Sequence, residues 1–188
     1  MAALTGLQKW WISLWPHRLA VRRHVPVFLK ACPEPLSGQV LEVGAGRGST
    51  SRRILTTFPQ VELTATDVDD GILTGLREFE VKFGRRLHVT QADVLQLPFD
   101  RSVFDMVLAL NVFWRLPDEE VGKAVRECIR VVRPGGLLGI SQSRFVLGVH
   151  WHVKAIEEAL RSEGCEILYE TKGRYYDVWA RCPETGVL

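Results

Sequence analysis

At 188 residues, with 46% hydrophobic and 24% charged side chains, the chain has an ordinary globular composition, long enough for one well-buried core and short for two. That composition, free of repeats and low-complexity tracts, excludes disordered and solenoid architectures. Lysine and arginine number 24 against 22 acids, too small a surplus for a phosphate-neutralising surface over the whole molecule, so nucleic acid is not a favoured partner.

The cations are uneven: His17, Arg18, Arg22, Arg23, His24 and Lys30 all precede the core. Upstream of them, on a wheel advancing about 100° per residue, Leu4, Leu7, Trp10, Trp11, Leu14 and Trp15 form one apolar face opposite Thr5, Lys9 and Ser13. Two helical stretches therefore fill the N-terminal segment, residues 1–36, and Pro33, Pro35 and Ser37-Gly38 link it to the rest. The apolar stretch from Trp10 to Trp15 is too short for a membrane span or a signal-peptide core, for which about 18 or more and about 7–15 apolar residues are needed. Cys32, Cys128, Cys165 and Cys182 show neither a CxxC pair nor a histidine at metal-ligand spacing, so no zinc site or disulfide framework is expected and a reducing cytoplasm fits best.

From Gln39 onward, short apolar runs alternate with amphipathic ones, the pattern of βα units on a mostly parallel sheet. The first strand, Gln39–Val43, ends in Gly44-Ala45-Gly46-Arg47-Gly48, and a Ser/Thr cluster then opens a helix running to about Phe58. Val61–Thr66 is the second strand, closed by Asp67, and a helix follows from Asp70 to Phe83. Leu87–Gln91 and Phe104–Leu110 are strands three and four, the latter with Asn111 at its carboxyl end. Residues Asp118–Val132 repeat apolar positions at helical spacing, with Asp118, Glu119 and Glu120 suited to the positive N-terminal end and Pro134-Gly135-Gly136 as the stop. Leu137–Ile140 is strand five. A last helix, Trp151–Ser162, precedes strands at Glu166–Tyr169 and Tyr176–Cys182.

A strand that stops at glycines and turns into a helix lets backbone N–H groups approach a ligand closely, with no Cβ in the way. An acid at the end of the next strand, Asp67, is placed to accept hydrogen bonds from two ribose hydroxyls. Those two features alone also suit a nicotinamide cofactor. The further pattern is more specific: Gln91-Ala92-Asp93-Val94 with Leu97-Pro98-Phe99, then Phe104-Asp105 through Asn111, then Arg130 through Pro134-Gly135-Gly136. Together these motifs, spanning about Val40 to Ile140 in the correct order, resemble the class I S-adenosylmethionine (SAM) dependent methyltransferases, notably the branch with quinone-biosynthesis and small-molecule enzymes.

The resemblance implies a single α/β domain over residues 1–188. Its core, residues 37–188, would be a Rossmann-like, seven-stranded, mostly parallel sheet with helices on both faces, and residues 1–36 would be N-terminal lid helices. It implies SAM as cofactor. Glu42 would lie near the methionine amino end, with Gly44, Ala45, Gly46 and Gly48 in the cofactor loop. Asp67 would bind ribose, Val68 would lie on the adenine face, Asp93 would receive the adenine amino group beside Val94, and Asn111 would face the methionine and sulfonium region.

On the acceptor side, this chain has Phe113-Trp114-Arg115-Leu116 where that branch often carries His or Glu. Arg115 can pair with an anionic acceptor and Trp114 can stack on it; Arg144 and Trp11 are further acceptor-side candidates. If the acceptor must lose a proton, His17, His150, His152, Tyr175 and Tyr176 are the titratable groups expected near the mouth. The Trp-rich N-terminal helix either covers the active site or meets an anionic membrane surface, which suits a small or lipid-like acceptor and a cytoplasmic, membrane-associated location. The readings left open beside a small-molecule methyltransferase are a non-catalytic scaffold subunit of the same fold and a nucleic-acid or protein methyltransferase. An oxidoreductase is disfavoured by the Asp93 and Pro134-Gly135-Gly136 patterns. The accepted atom and the oligomeric state are not written in the sequence.

Overall fold

The computed structural model describes residues 15–143 and 152–184, with side chains described from residue 23. The Leu4 to Leu14 part of the apolar stripe, including Trp11, lies outside the described residues, as do Arg144 and His150. Helix α1 (Trp15–Lys30) leads into β1 (Gly38–Val43), α2 (Ser49–Thr57), β2 (Val61–Asp67), α3 (Asp70–Phe83) and β3 (Leu87–Gln91). Then come β4 (Phe104–Leu110), α4 (Asp118–Val131), β5 (Val132–Ser143), α5 (Val153–Ser162), β6 (Glu166–Lys172) and β7 (Tyr175–Arg181).

The seven strands form one sheet in the order β3-β2-β1-β4-β5-β7-β6. Neighbours from β3 to β5 are parallel, and β7 is antiparallel to both β5 and β6. Strands covered on both faces read as continuous apolar runs rather than alternating ones, and Val40 to Val43 is buried throughout. One face packs on α1, α2 and α3 through Phe28, Ile54, Leu55, Leu73 and Leu76. The other packs on α4 and α5 through Val121, Val125, Cys128, Ile156 and Leu160. Residues Val121, Ala124, Val125, Cys128 and Ile129 are the buried stripe of α4, the i, i+3, i+4, i+7, i+8 spacing of a core-facing helix. Each fully buried Leu, Ile or Phe contributes roughly 1.5–3 kcal/mol.

Helix α1 is anchored at its end. Phe28 stacks on Trp179 of β7 with ring centroids 4.7 Å apart, and the Trp179 indole N–H donates to the Phe28 carbonyl at 3.1 Å. Gly139 of β5 makes room for that indole, since a Cβ there would come within 2.6 Å of the ring.

Three strands are longer than their apolar runs. Strand β5 starts directly after α4 because Pro134-Gly135-Gly136, which does end the helix, is absorbed as an irregularity in the ladder. The register steps from Phe104 opposite Val132 to Met106 opposite Leu137, with Gly135 at φ +74°. Strands β6 and β7 run on to Lys172 and from Tyr175, because cross-strand pairing holds the polar residues Glu170, Thr171 and Lys172 in the ladder. Strand β7 thus lies inside the sheet, and Tyr175 and Tyr176 are buried.

Candidate cofactor cleft and acceptor side

Strand β1 has β2 on one side and β4 on the other, so the chain reverses its direction of travel across the sheet there. In open parallel sheets ligands bind outside the carboxyl ends of strands at such a switch point. A small cleft lies at that place. Its walls are Gly44 beyond β1, Asp67 and Val68 at the end of β2, Asp93 and Val94 beyond β3, and Asn111 with Arg115 beyond β4.

The loop after β1 is held by the neighbouring strand. The Ala45 N–H donates to the Thr66 carbonyl at 2.8 Å, and the Gly46 N–H donates to Asp67 Oδ2 at 3.0 Å. The other carboxylate oxygen, Oδ1, accepts the Asp69 N–H at 3.1 Å. Each oxygen of Asp67 therefore takes one backbone donor and retains a second lone pair. The glycines differ in what they allow. At Gly48, φ +74°, a Cβ would meet the Leu76 side chain at 2.2 Å, whereas at Gly46, φ +54°, a Cβ would enter open space. Gly48 is required by helix packing, and Gly46 leaves a cradle over the loop.

Beneath the loop, Glu42 is buried and accepts a hydrogen bond from the Ser51 hydroxyl at 2.5 Å. Burial pushes its carboxyl up to about 7; the Ser51 bond opposes that rise and the Asp67 charge adds to it. A buried carboxyl of this kind calls for a cationic partner.

Asp93 accepts the Leu95 N–H through Oδ1 at 2.9 Å, which leaves Oδ2 for a ligand donor, and Val68 and Val94 line the same cleft. Asn111 adopts φ +56°, a left-handed conformation that asparagine tolerates better than most residues. Three hydrogen bonds of 2.7 Å hold it there. Its N–H donates to the Ser141 carbonyl, its Oδ1 accepts the Ser143 N–H, and its carbonyl accepts the Trp114 indole N–H. Trp114 thus braces Asn111, while Arg115 reaches the cleft.

A second polar cluster lies across β5 and β7. His24 Nε2 is 2.9 Å from both oxygens of Asp177, and the Ser141 hydroxyl donates to Asp177 Oδ1 at 2.6 Å. The imidazole lies flat on the Tyr175 ring, centroids 3.5 Å apart and planes 1° from parallel. Burial raises the Tyr175 phenol above its ordinary value, and a side-chain hydrogen bond to Ser143 opposes the rise. His24 is the residue that spacing did not single out: 153 positions separate it from Asp177, and it reads in sequence as one more N-terminal cation.

The other titratable candidates are placed differently. His152 sits before α5 at φ +42° with Nδ1 2.5 Å from an Asp118 carboxylate oxygen, a contact between the starts of α5 and α4. The Tyr176 hydroxyl donates to Glu170 Oε1 at 3.2 Å, and burial raises that phenol too. His17 is within α1, and its side chain lies outside the described residues. A wider groove lined by Arg101, Lys123, Arg126, Arg130 and Arg133 opens where β5 begins, away from the cleft. Arg130 is spent on the Leu97 and Phe99 carbonyls and on Glu127, and Arg133 on Asp105.

A family profile described as a methyltransferase domain matches residues 40–136. A malonyl-(acyl-carrier protein) O-methyltransferase of Methylococcus capsulatus is 37% identical over 109 residues, 57% of this chain and 38% of that protein. A Mycobacterium tuberculosis protein named as a probable S-adenosylmethionine-dependent methyltransferase is 33% identical over 120 residues, 64% of this chain and 41% of that protein. This chain spans about two fifths of the length of these curated relatives. Among solved structures, a Pyrococcus horikoshii protein superposes with a TM-score of 0.74 at 16% identity, covering 91% of this chain and 93% of that one. The cyclase SpnF superposes with a TM-score of 0.72 at 19% identity, covering 86% and 81%. At such identities the likeness speaks to the fold alone, and a cyclase on it shows that the fold hosts more than one chemistry. Among the described residues no helix is long and apolar enough to cross a membrane.

Proposed function

The chain belongs to the methyltransferase domain family, and from that premise we propose that it transfers a methyl group from SAM to a small or lipophilic acceptor seated beyond the ends of β4, β5 and β7. The observation that carries this reading is Asp67, an acid at the switch point with a lone pair left on each oxygen beside the cradle over Gly46. Two vicinal hydroxyls match that pair of acceptors. Val68 and Val94 then flank a planar base whose amino group meets Asp93, and Glu42 supplies the anion toward which an ammonium group is drawn. Asn111 closes the cleft on the side of the reacting centre.

When bound, the cofactor supplies a methyl carbon activated by a sulfonium. What this chain adds is alignment of the acceptor with that carbon and exclusion of water. Arg115, at the mouth of the cleft, offers charge to an anionic acceptor. The match to a protein named for methylating a malonyl carrier-protein oxygen is in keeping with a small acyl acceptor, but it covers only 38% of that protein. A lipophilic acceptor draws on the Trp-rich stretch at residues 4–15, which would then meet a membrane surface.

Calorimetric titration with S-adenosylhomocysteine, with NADH as control and with and without anionic vesicles, tests the reading. Binding of S-adenosylhomocysteine alone is the expected result, and capture by vesicles would point to lipophilic acceptors. Binding of neither nucleotide would favour a scaffold subunit and overturn the proposal.

A further inference from the structure

Resting on that reading, we infer that His24, oriented by Asp177, is the base that takes a proton from the methyl acceptor, so the acceptor is a proton-bearing nucleophile (phenol, amine or activated carbon acid) rather than a carboxylate. Asp177 is 3% exposed at its side chain and accepts the Ser141 hydroxyl as well as the imidazole. Both of its oxygens face these donors, so Asp177 is the acceptor in each contact. The neutral imidazole must therefore present Nε2–H to Asp177, which leaves the lone pair on Nδ1. Among the described residues Nδ1 has no hydrogen-bond partner, and the His24 side chain remains 15% exposed. A ring nitrogen freed by a buried acid on the opposite nitrogen, in a ring fixed by a third group, is the arrangement of a general base.

The stack on Tyr175 fixes the imidazole plane, and through it the direction of Nδ1. The same Tyr175 is joined to the cofactor cleft, because its hydroxyl shares a hydrogen bond with Ser143 and the Ser143 N–H donates to Asn111 Oδ1. Strands β4, β5 and β7 are successive neighbours, so the cluster stands two strand spacings, about 10 Å, from the end of β4. An acceptor bound between the methyl carbon and Nδ1 would span that distance.

A purely structural clamp explains the cluster less well. Helix α1 is already fastened one turn later by the Phe28–Trp179 stack and its hydrogen bond. Burying a carboxylate there costs desolvation that an apolar pair would avoid. Among the described residues the imidazole meets Asp177 and Tyr175 of β7; Arg23 adjoins it along α1, Arg174 adjoins Tyr175 in the turn, and from β5 the Ser141 and Ser143 hydroxyls reach Asp177 and Tyr175.

In the step itself, the acceptor's proton passes to Nδ1, and the lone pair so freed forms the bond to the methyl carbon. The methyl–sulfur bond breaks and leaves its electron pair on sulfur. The imidazolium, held by Asp177, then gives the proton to solvent. A carboxylate acceptor is already anionic at neutral pH and has no use for such a base, so the cluster separates acceptor classes.

Two measurements on the full chain decide the matter. The first is ¹⁵N NMR of histidine-labelled protein with S-adenosylhomocysteine bound. The Nε2–H tautomer at His24 is expected between about pH 7 and 9, and an Nδ1–H tautomer or a persistent imidazolium would overturn the proposal. The second follows S-adenosylhomocysteine release from SAM with a phenol, an aromatic amine, a β-ketoacyl thioester and a malonyl thioester as probes. Turnover of a proton-bearing probe is expected, with a rate that rises with pH to a plateau. His24→Gln should lose about 10²–10⁴-fold and the pH-dependent rise, while binding S-adenosylhomocysteine like the parent. Asp177→Asn, a positioning change, should lower the rate and let the Nδ1–H tautomer appear in the same ¹⁵N spectrum. Turnover of the malonyl thioester alone, or a His24→Gln variant with the parent's rate and profile, would contradict it; if no probe turns over, the tautomer alone decides. Failure of the parent chain to bind S-adenosylhomocysteine would instead strike the underlying reading.

Discussion

The two ends of the molecule's polar surface are built in different ways. At the ends of β2 and β3 the acids are held by main-chain donors: Asp67 by the Gly46 and Asp69 N–H groups, Asp93 by the Leu95 N–H. At β5 and β7 side chains hold one another, His24 to Asp177 to Ser141. A geometry fixed by the backbone changes only if the fold changes, whereas a side-chain cluster is altered by one or two substitutions. On the proposed reading, the difference teaches that a donor site can persist while the acceptor side is respecified, which is how a single fold comes to serve many chemistries.

The largest effect that sharpens this contrast concerns the attachment of α1. Phe28→Ala should cost about 4 kcal/mol by the usual loss for a buried aromatic ring, read as a lower urea midpoint, while His24→Gln, which keeps a donor for Asp177, should cost about 1 kcal/mol. Equal losses would make the His24 cluster a clamp rather than a reactive group. On the donor side, Asp67→Ala removes two charge-assisted hydrogen bonds and should weaken S-adenosylhomocysteine binding by about 100-fold or more with the circular dichroism spectrum unchanged. Unaltered affinity would remove Asp67 from the cofactor site.

Glu42 gives a pH signature of comparable size. Its folded value, about 7, exceeds the ordinary carboxyl value of 4.5, so between the two the folded state binds more protons than the unfolded one. Stability of the ligand-free protein should therefore fall as pH rises from about 4.5 to 7, by about 3 kcal/mol from this group, and Glu42→Gln should flatten that slope. An ammonium group arriving beside Glu42 would favour its charged form, so binding near pH 6 should release a proton, seen as a buffer-dependent heat. The smallest effect separates two glycines. Gly46→Ala should cost about 1 kcal/mol for its left-handed backbone yet impair ligand binding, because the added methyl enters the cradle. Gly48→Ala should destabilise further, because its methyl meets Leu76.

Much of the donor half was legible in the sequence. The bounds of α3, β3 and β4 coincide with the apolar and capping pattern, and Asp67, Asp93 and Asn111 stand at strand ends, where their positions follow from the strands themselves. The acceptor half was not. His24, Ser141 and Asp177 are brought together only because β7 inserts antiparallel between β5 and β6, a pairing that local periodicity does not encode. The apolar run Leu137–Ile140 falls short of β5 for a related reason: the Pro-Gly-Gly turn signal is locally correct, but the β4 and β7 ladders carry the strand through it and on to Ser143.

The most direct test of the account is a crystal structure with S-adenosylhomocysteine bound. It should show both ribose hydroxyls on the Asp67 carboxylate, the adenine between Val68 and Val94 with its amino group at Asp93, and the amino-acid end over Gly46. Nucleoside density away from Asp67, or in the basic groove beside Arg126, would contradict the assignment of the cleft.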